Sequence, residues 1–203
     1  MVVEIAYFAG PGRAEVLKLI AEVGQVEYTF KGIPREEWPN HKVTCRYGQL
    51  PYLKINDETT LYQTIAIARY LAQEGGLYPT DRLEASASEE YVAAIDDIIA
   101  GFVRIFFRTP EEKREEELKA FSEGILKTTL VAFEKVLEKN EGNLVKGKLT
   151  WADLVLYDIV VNIQSKGADI SYAQNVLKLK ETVAAHERVK AFLESDRNLR
   201  KQQ

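Results

Sequence analysis

The 203-residue chain contains one cysteine, one methionine and two histidines. Cys45, being alone, cannot close an internal disulfide, which agrees with a reducing compartment and removes the two-thiol motif of a redox thioredoxin. With only His41 and His186 and no paired cysteines, a structural zinc site lacks its ligands, and no metal is expected. No apolar run approaches the ~18 residues of a membrane span. The start, Met1-Val2-Val3-Glu4, has no charged region ahead of a cleavable apolar segment, so the reading is cytoplasmic with no membrane partner. Excess positive charge is also missing: 27 Lys and Arg stand against 31 Asp and Glu, a net charge of -4. The charge lies in mixed-sign runs such as Glu111 to Glu117, not in the basic footprint of a nucleic-acid binder. Internal repeats and low-complexity segments are absent.

What the chain does have is apolar substance, 46% of its residues, enough to bury a core as one large domain or two small ones. The first half alternates element types. An apolar run from Val3 to Phe8 predicts a strand, and Arg13 to Val23 carries Ala14, Leu17, Ile20 and Ala21 at helical spacing, closed by Gly24. Val26 to Phe30 predicts a second strand. After an irregular or helical stretch around Trp38, Tyr52 to Ile55 and Thr59 to Leu61 flank Asn56-Asp57-Glu58 as a hairpin, leading into a helix from about Gln63 to Glu74. The order βαβ, connector, ββα is that of a thioredoxin-like sheet, assigned to residues 1-76.

Residues 77-83, with Pro79, Thr80 and Asp81, read as a linker. Residues 84-203 read as an all-helical domain. Tyr91, Ile95, Ile98, Phe102, Ile105 and Phe106 give one long helix with a continuous apolar stripe. Thr109-Pro110-Glu111-Glu112 predicts an N-cap, a first-turn proline and a capping-box glutamate for the next helix. Thr150-Trp151-Ala152-Asp153 repeats the capping-box pattern, with Leu149 and Leu154 placed as a hydrophobic staple. Two more helices are predicted near Val176 to Ala185 and Val189 to Glu194.

The chemistry concentrates in Gln49-Leu50-Pro51 and Gln63-Thr64. A proline opening an otherwise internal strand removes a ladder donor. If the Leu50-Pro51 bond is cis, Leu50 offers its N–H and C=O to an extended peptide lying alongside; an ordinary trans proline on an edge strand is the alternative. Gln63 and Thr64 open a helix whose unpaired amides and positive dipole end favour a carboxylate, and Thr64 can equally cap that helix. Tyr7 ends the first strand, at the carboxyl edge where open α/β units place their ligands. A phenol there can donate to a thiolate, or simply pack. Lowering a thiol by roughly two units from about 8.5 takes about 2.7 kcal/mol of preference for the anion, within reach of one aimed donor with dipole and cationic help. Trp38 and Lys42 lie in a segment too polar for core, where Lys42 can meet a terminal carboxylate or remain solvated.

These residues resemble the cytosolic glutathione transferases, and the sigma class in particular. The resemblance runs through Tyr7-Phe8 with Gly12-Arg13-Ala14-Glu15, Trp38-Pro39 with Lys42, Gly48-Gln49-Leu50-Pro51, Gln63 to Leu71, and Leu149 to Asp153. It implies a thioredoxin-like N-terminal domain, an all-α C-terminal domain, a homodimer, glutathione as co-substrate and a small-molecule electrophile as partner. It further implies Tyr7 as the catalytic hydroxyl and Arg13 beside the thiol. Phe8, Trp38, Lys42, Gln49, Leu50, Pro51, Gln63 and Thr64 would hold the tripeptide, and Asp97 would reach the glutathione of the other subunit. Phe8, Ile98, Phe102 and Val103 would line the electrophile pocket.

Thr64 stands where the sigma pattern has serine, Pro11 precedes Gly12 where a polar or larger residue is usual, and the final Arg197 to Gln203 lacks a familiar proline. The expected activity is conjugation of the glutathione thiolate to small apolar electrophiles. Isomerisation of a prostaglandin endoperoxide, a non-catalytic crystallin-like role, and thiol-disulfide exchange through Cys45 are the competing readings.

Overall fold

The computed structural model describes residues 2–202, and it divides into two compact units, Met1–Tyr78 with Ala185–Gln203, and Pro79–Ala184. In the first unit β1 (Val3–Phe8) and β2 (Tyr28–Ile33) pair in parallel, while β3 (Tyr52–Lys54) runs antiparallel to β1 and to β4 (Thr60–Tyr62). The resulting order, β2-β1-β3-β4, buries Val3, Ile5 and Ala6 of the central strand. Helix α1 (Glu15–Gly24) crosses from β1 to β2, α2 (Trp38–Lys42) is a single turn, and α3 (Thr64–Glu74) follows β4.

The second strand lies later than the expected Val26 to Phe30. Helix α1 ends with Gln25 at φ 57°, and the Val26 N–H donates back to Ala21 O at 2.8 Å, so Val26 belongs to the helix cap. All six residues of β1 then find partners, from Val3 opposite Tyr28 to Phe8 opposite Ile33. Gly24 is the last helical residue, not the left-handed one. Its lack of a side chain serves a close approach instead: a Cβ on Gly75 would lie 2.6 Å from the Gly24 Cα, where α1 and α3 meet. The hairpin is shifted by one residue at its far end, and Asn56 Oδ1 shapes its turn by accepting the N–H of Glu58 at 2.9 Å and of Thr59 at 2.8 Å.

In the second unit α4 (Arg82–Arg108) is the long helix, opened by Asp81, whose carboxylate accepts the N–H of Leu83 and Glu84 at 2.9 and 3.0 Å. Thr109 does not cap α5 (Glu111–Phe121). It closes α4, donating its hydroxyl to Arg104 O at 3.1 Å, and Pro110 takes the capping position. A π-helical stretch, Ser122–Leu126, leads to α6 (Lys127–Lys139). Helix α7 (Trp151–Ser165) is buried without a break from Trp151 to Val160, and α8 is Gln174–Ala185. Helix α9 (Glu187–Glu194) and the final turn at Leu199–Gln202 return to the first unit, where α9 packs on α1.

Candidate active site

Tyr7 is the penultimate residue of β1, opposite Gly32 of β2, and its ring is half-buried. Its ring meets Phe8 edge-on at 5.4 Å, and Phe8 meets Trp38 at 5.4 Å and 75°. The Arg35 guanidinium lies 5.1 Å from the centre of the Phe8 ring, a cation–π contact that the sequence reading missed. Its signal was only a basic residue three positions before Trp38. Gly12 lies against the Tyr7 ring on the way into α1, and Arg13, which follows it, is partly buried.

The Leu50-Pro51 peptide is cis. Pro51 is buried and directly precedes Tyr52, which pairs with Ala6 beside Tyr7. Gly48, at φ 58°, has no side chain to exclude the Lys42 stem: a Cβ there would lie 3.3 Å from Lys42 Cε. The Lys42 stem thereby runs past Gly48, the residue before Gln49. Gln63 Nε2 donates to Gln49 Oε1 at 3.3 Å, joining that turn to the start of α3.

Gln63 itself sits at φ 71°, ψ 120°, a conformation that side chains other than glycine's rarely adopt and that surrounding structure must hold in place. No sequence pattern announced it. It brings Thr64 to the first position of α3, where the hydroxyl is buried, 7% exposed for the residue, and has no hydrogen-bond partner. An unpartnered buried hydroxyl is costly. Here it lies beside the first amides of a helix, which have no intrahelical acceptor, so donors and dipole converge on a place fit for a carboxylate.

Cys45 is buried in the turn after α2, and burial pushes its thiol above the ordinary range, the wrong direction for a reactive thiolate. Asp97, exposed, lies on α4 with Ile98, Phe102 and Val103. Ile98 is fully enclosed, and the Phe102 and Phe106 rings meet at a tilt of 42° with centres 4.6 Å apart. Among the described residues no group of three or more His, Cys, Asp or Glu side chains is gathered that could hold a metal. No helix among them is long and apolar enough to cross a membrane.

The first unit thus carries a thioredoxin-like sheet, Tyr7 near the end of its central strand, a cis Leu50-Pro51 turn and a helix start with a buried, unpartnered hydroxyl. The family models for the glutathione S-transferase N-terminal domain and C-terminal domain match residues 3–73 and 96–196. Glutathione S-transferase 3 of Caenorhabditis elegans is 31% identical over 94% of this chain and 94% of its own length. S-crystallin SL11 of Nototodarus sloanii is 28% identical over 95% of each. The crystal structure of the glutathione S-transferase from Ascaris lumbricoides, 28% identical, superposes with a TM-score of 0.85 over 95% of this chain and 96% of that one. The chain belongs to the glutathione S-transferases, and glutathione is its co-substrate.

Proposed function

We propose that this transferase follows the sigma pattern and conjugates glutathione to small apolar electrophiles, with Tyr7 holding the thiolate. The observation that carries the reading is the buried, unpartnered Thr64 hydroxyl at the start of α3. It suits the γ-glutamyl carboxylate, and the threonine methyl leaves that donor intact. Leu50 would pair its main chain with the cysteinyl residue, Gln49, Gln63 and Trp38 would fix the peptide, and Lys42 would meet the glycine carboxylate. Tyr7 donates its O–H to the sulfur, and Arg13 adds positive potential beside it. Once the thiolate is formed and held, proximity to the electrophile supplies much of the remaining acceleration. The partly exposed Phe8 offers an apolar wall next to that sulfur.

Two copies are proposed to associate, with Asp97 of each reaching the γ-glutamyl amine held by the other. Support comes from apolar surface left open on the first unit, where Val43 is 84% and Tyr47 56% exposed; patches of this kind favour association. The lone, buried Cys45 is compatible with a cytosolic setting.

The test is Tyr7→Phe assayed with a chromogenic electrophile: turnover is expected to fall by about tenfold or more, the loss of one charge-assisted hydrogen bond, with retention on immobilised glutathione unchanged. Undiminished turnover removes Tyr7 from the mechanism. Retention without any wild-type turnover toward an electrophile panel favours the crystallin-like alternative. Sedimentation of the same preparation as the 23.0 kDa monomer removes the cross-subunit role of Asp97.

A further inference from the structure

The bare face of Gly12 lies against the Tyr7 phenol. A Cβ at position 12 would stand 2.7 Å from Tyr7 Cε1, 2.8 Å from its Oη and 3.1 Å from Cζ, well inside the separation at which non-bonded carbons come to rest. Even one methyl group therefore cannot be added without moving something. The main chain is the harder of the two to move. Gly12 O accepts the Glu15 N–H at 3.0 Å where α1 begins, Ala9 N–H donates to Ile33 O at 3.1 Å, and Gly10 N–H donates to Phe8 O at 2.7 Å. Pro11 fixes φ immediately before the glycine. The half-buried Tyr7 ring, by contrast, can turn about its side-chain bonds without breaking a backbone hydrogen bond.

We propose that Gly12 is a positioning residue: the absence of its side chain sets where the Tyr7 hydroxyl stands, and so how well that O–H aims at the glutathione sulfur. The inference rests on the role given to Tyr7 above. A hydrogen bond to an anion weakens steeply as its angle closes, and a shift of about 1 Å near reacting atoms can cost up to a hundredfold in rate. The strength of thiolate activation is thus set by a residue that touches neither sulfur nor electrophile.

Gly12→Ala tests it, read through the pH dependence of kcat/KM, the ultraviolet absorbance of bound thiolate, and thermal unfolding. The bound thiol is expected to titrate about one unit higher, so that kcat/KM near neutral pH falls roughly tenfold and recovers at alkaline pH. The KM for glutathione should change by less than about threefold, since peptide binding is untouched. In a Tyr7→Phe background the same substitution should leave the titration where Tyr7→Phe alone puts it. An unshifted titration in Gly12→Ala overturns the proposal, as does loss of the cooperative unfolding transition, which would place the glycine's role in the fold. If Tyr7→Phe raises the titration and Gly12→Ala does not, only this inference fails. If Tyr7→Phe leaves it unmoved, the role of Tyr7 fails first.

Discussion

Lys18 and Glu15 form an ion pair on α1 with side chains 1% and 0% exposed. The ammonium donates to Arg197 O at 2.6 Å and lies 4.8 Å from the Phe30 ring centre. Burial pulls it below its ordinary range, while Glu15 pushes it back. Such a pair adds little net stability over apolar residues of the same volume, yet breaking it is costly, because the remaining partner stays buried without the opposite charge that faced it. Lys18→Met should therefore destabilise the fold by about 3–5 kcal/mol in chemical denaturation, and adding Glu15→Leu should recover most of the loss. A double variant no more stable than the single one would show that the lysine does something the apolar pair cannot replace. The sequence hid this pair, because at positions 15 and 18 a glutamate and a lysine read as an exposed i,i+3 couple. The places of Tyr7 near the end of β1 and of Thr64 at the start of α3 were legible by contrast, since both follow from the pattern of their elements. Gln63 adopts a conformation, and Gly12 makes a close approach to the Tyr7 ring, that their neighbours in the sequence do not announce.

Helix α7 shows how much of an element local sequence can write. Thr150 caps it, Asp153 Oδ2 accepts the Thr150 N–H at 2.8 Å and its hydroxyl at 3.0 Å, and Trp151 Nε1 donates to Ser88 Oγ of α4 at 3.0 Å. The capping box was readable from Thr150 and Asp153 alone. The other Asp153 oxygen accepts the Leu144 N–H at 2.8 Å, nine residues upstream, and no local pattern announced that bond. Asp153→Ala thus removes a helix cap and orphans a buried amide. Cap loss costs typically about 1 kcal/mol and the orphaned donor about 1–3, so the unfolding free energy should fall by roughly 2–4 kcal/mol. A loss under about 1 kcal/mol would mean that water replaces the carboxylate at both donors. The Thr109 pattern failed for a related reason. A threonine between two helices can serve the one before or the one after, and here the carbonyls ending α4 claim its hydroxyl.

At the scale of the whole chain, the two halves were visible as a switch from alternating elements to uninterrupted helical periodicity. The return of the last segment was not, because it depends on which apolar faces meet, and period alone says nothing about partners. Val189 and Phe192 of α9 are 0% and 1% exposed, and the segment is tied down by Lys18 to Arg197 O. Arg197 is also bound to Glu22, with Nε 2.7 Å from Oε1 and Nη2 3.0 Å from Oε2. Glu22 in turn accepts the Tyr28 hydroxyl at 2.9 Å, so strand β2, helix α1 and the C-terminal segment share one network. Ending the chain after Ala185 would uncover the face of α1 on which α9 packs, and would leave Lys18 without its carbonyl acceptor. The expected consequence is confined to the thioredoxin-like unit: faster amide exchange in α1 and β2, with protection of α4 and α7 preserved. Glutathione retention should weaken with it, because Arg13 and Gly12 lead directly into α1. Unchanged exchange in α1 would show that the segment is only laid against the unit, and uniform loss of protection along the chain would show that it supports both units alike.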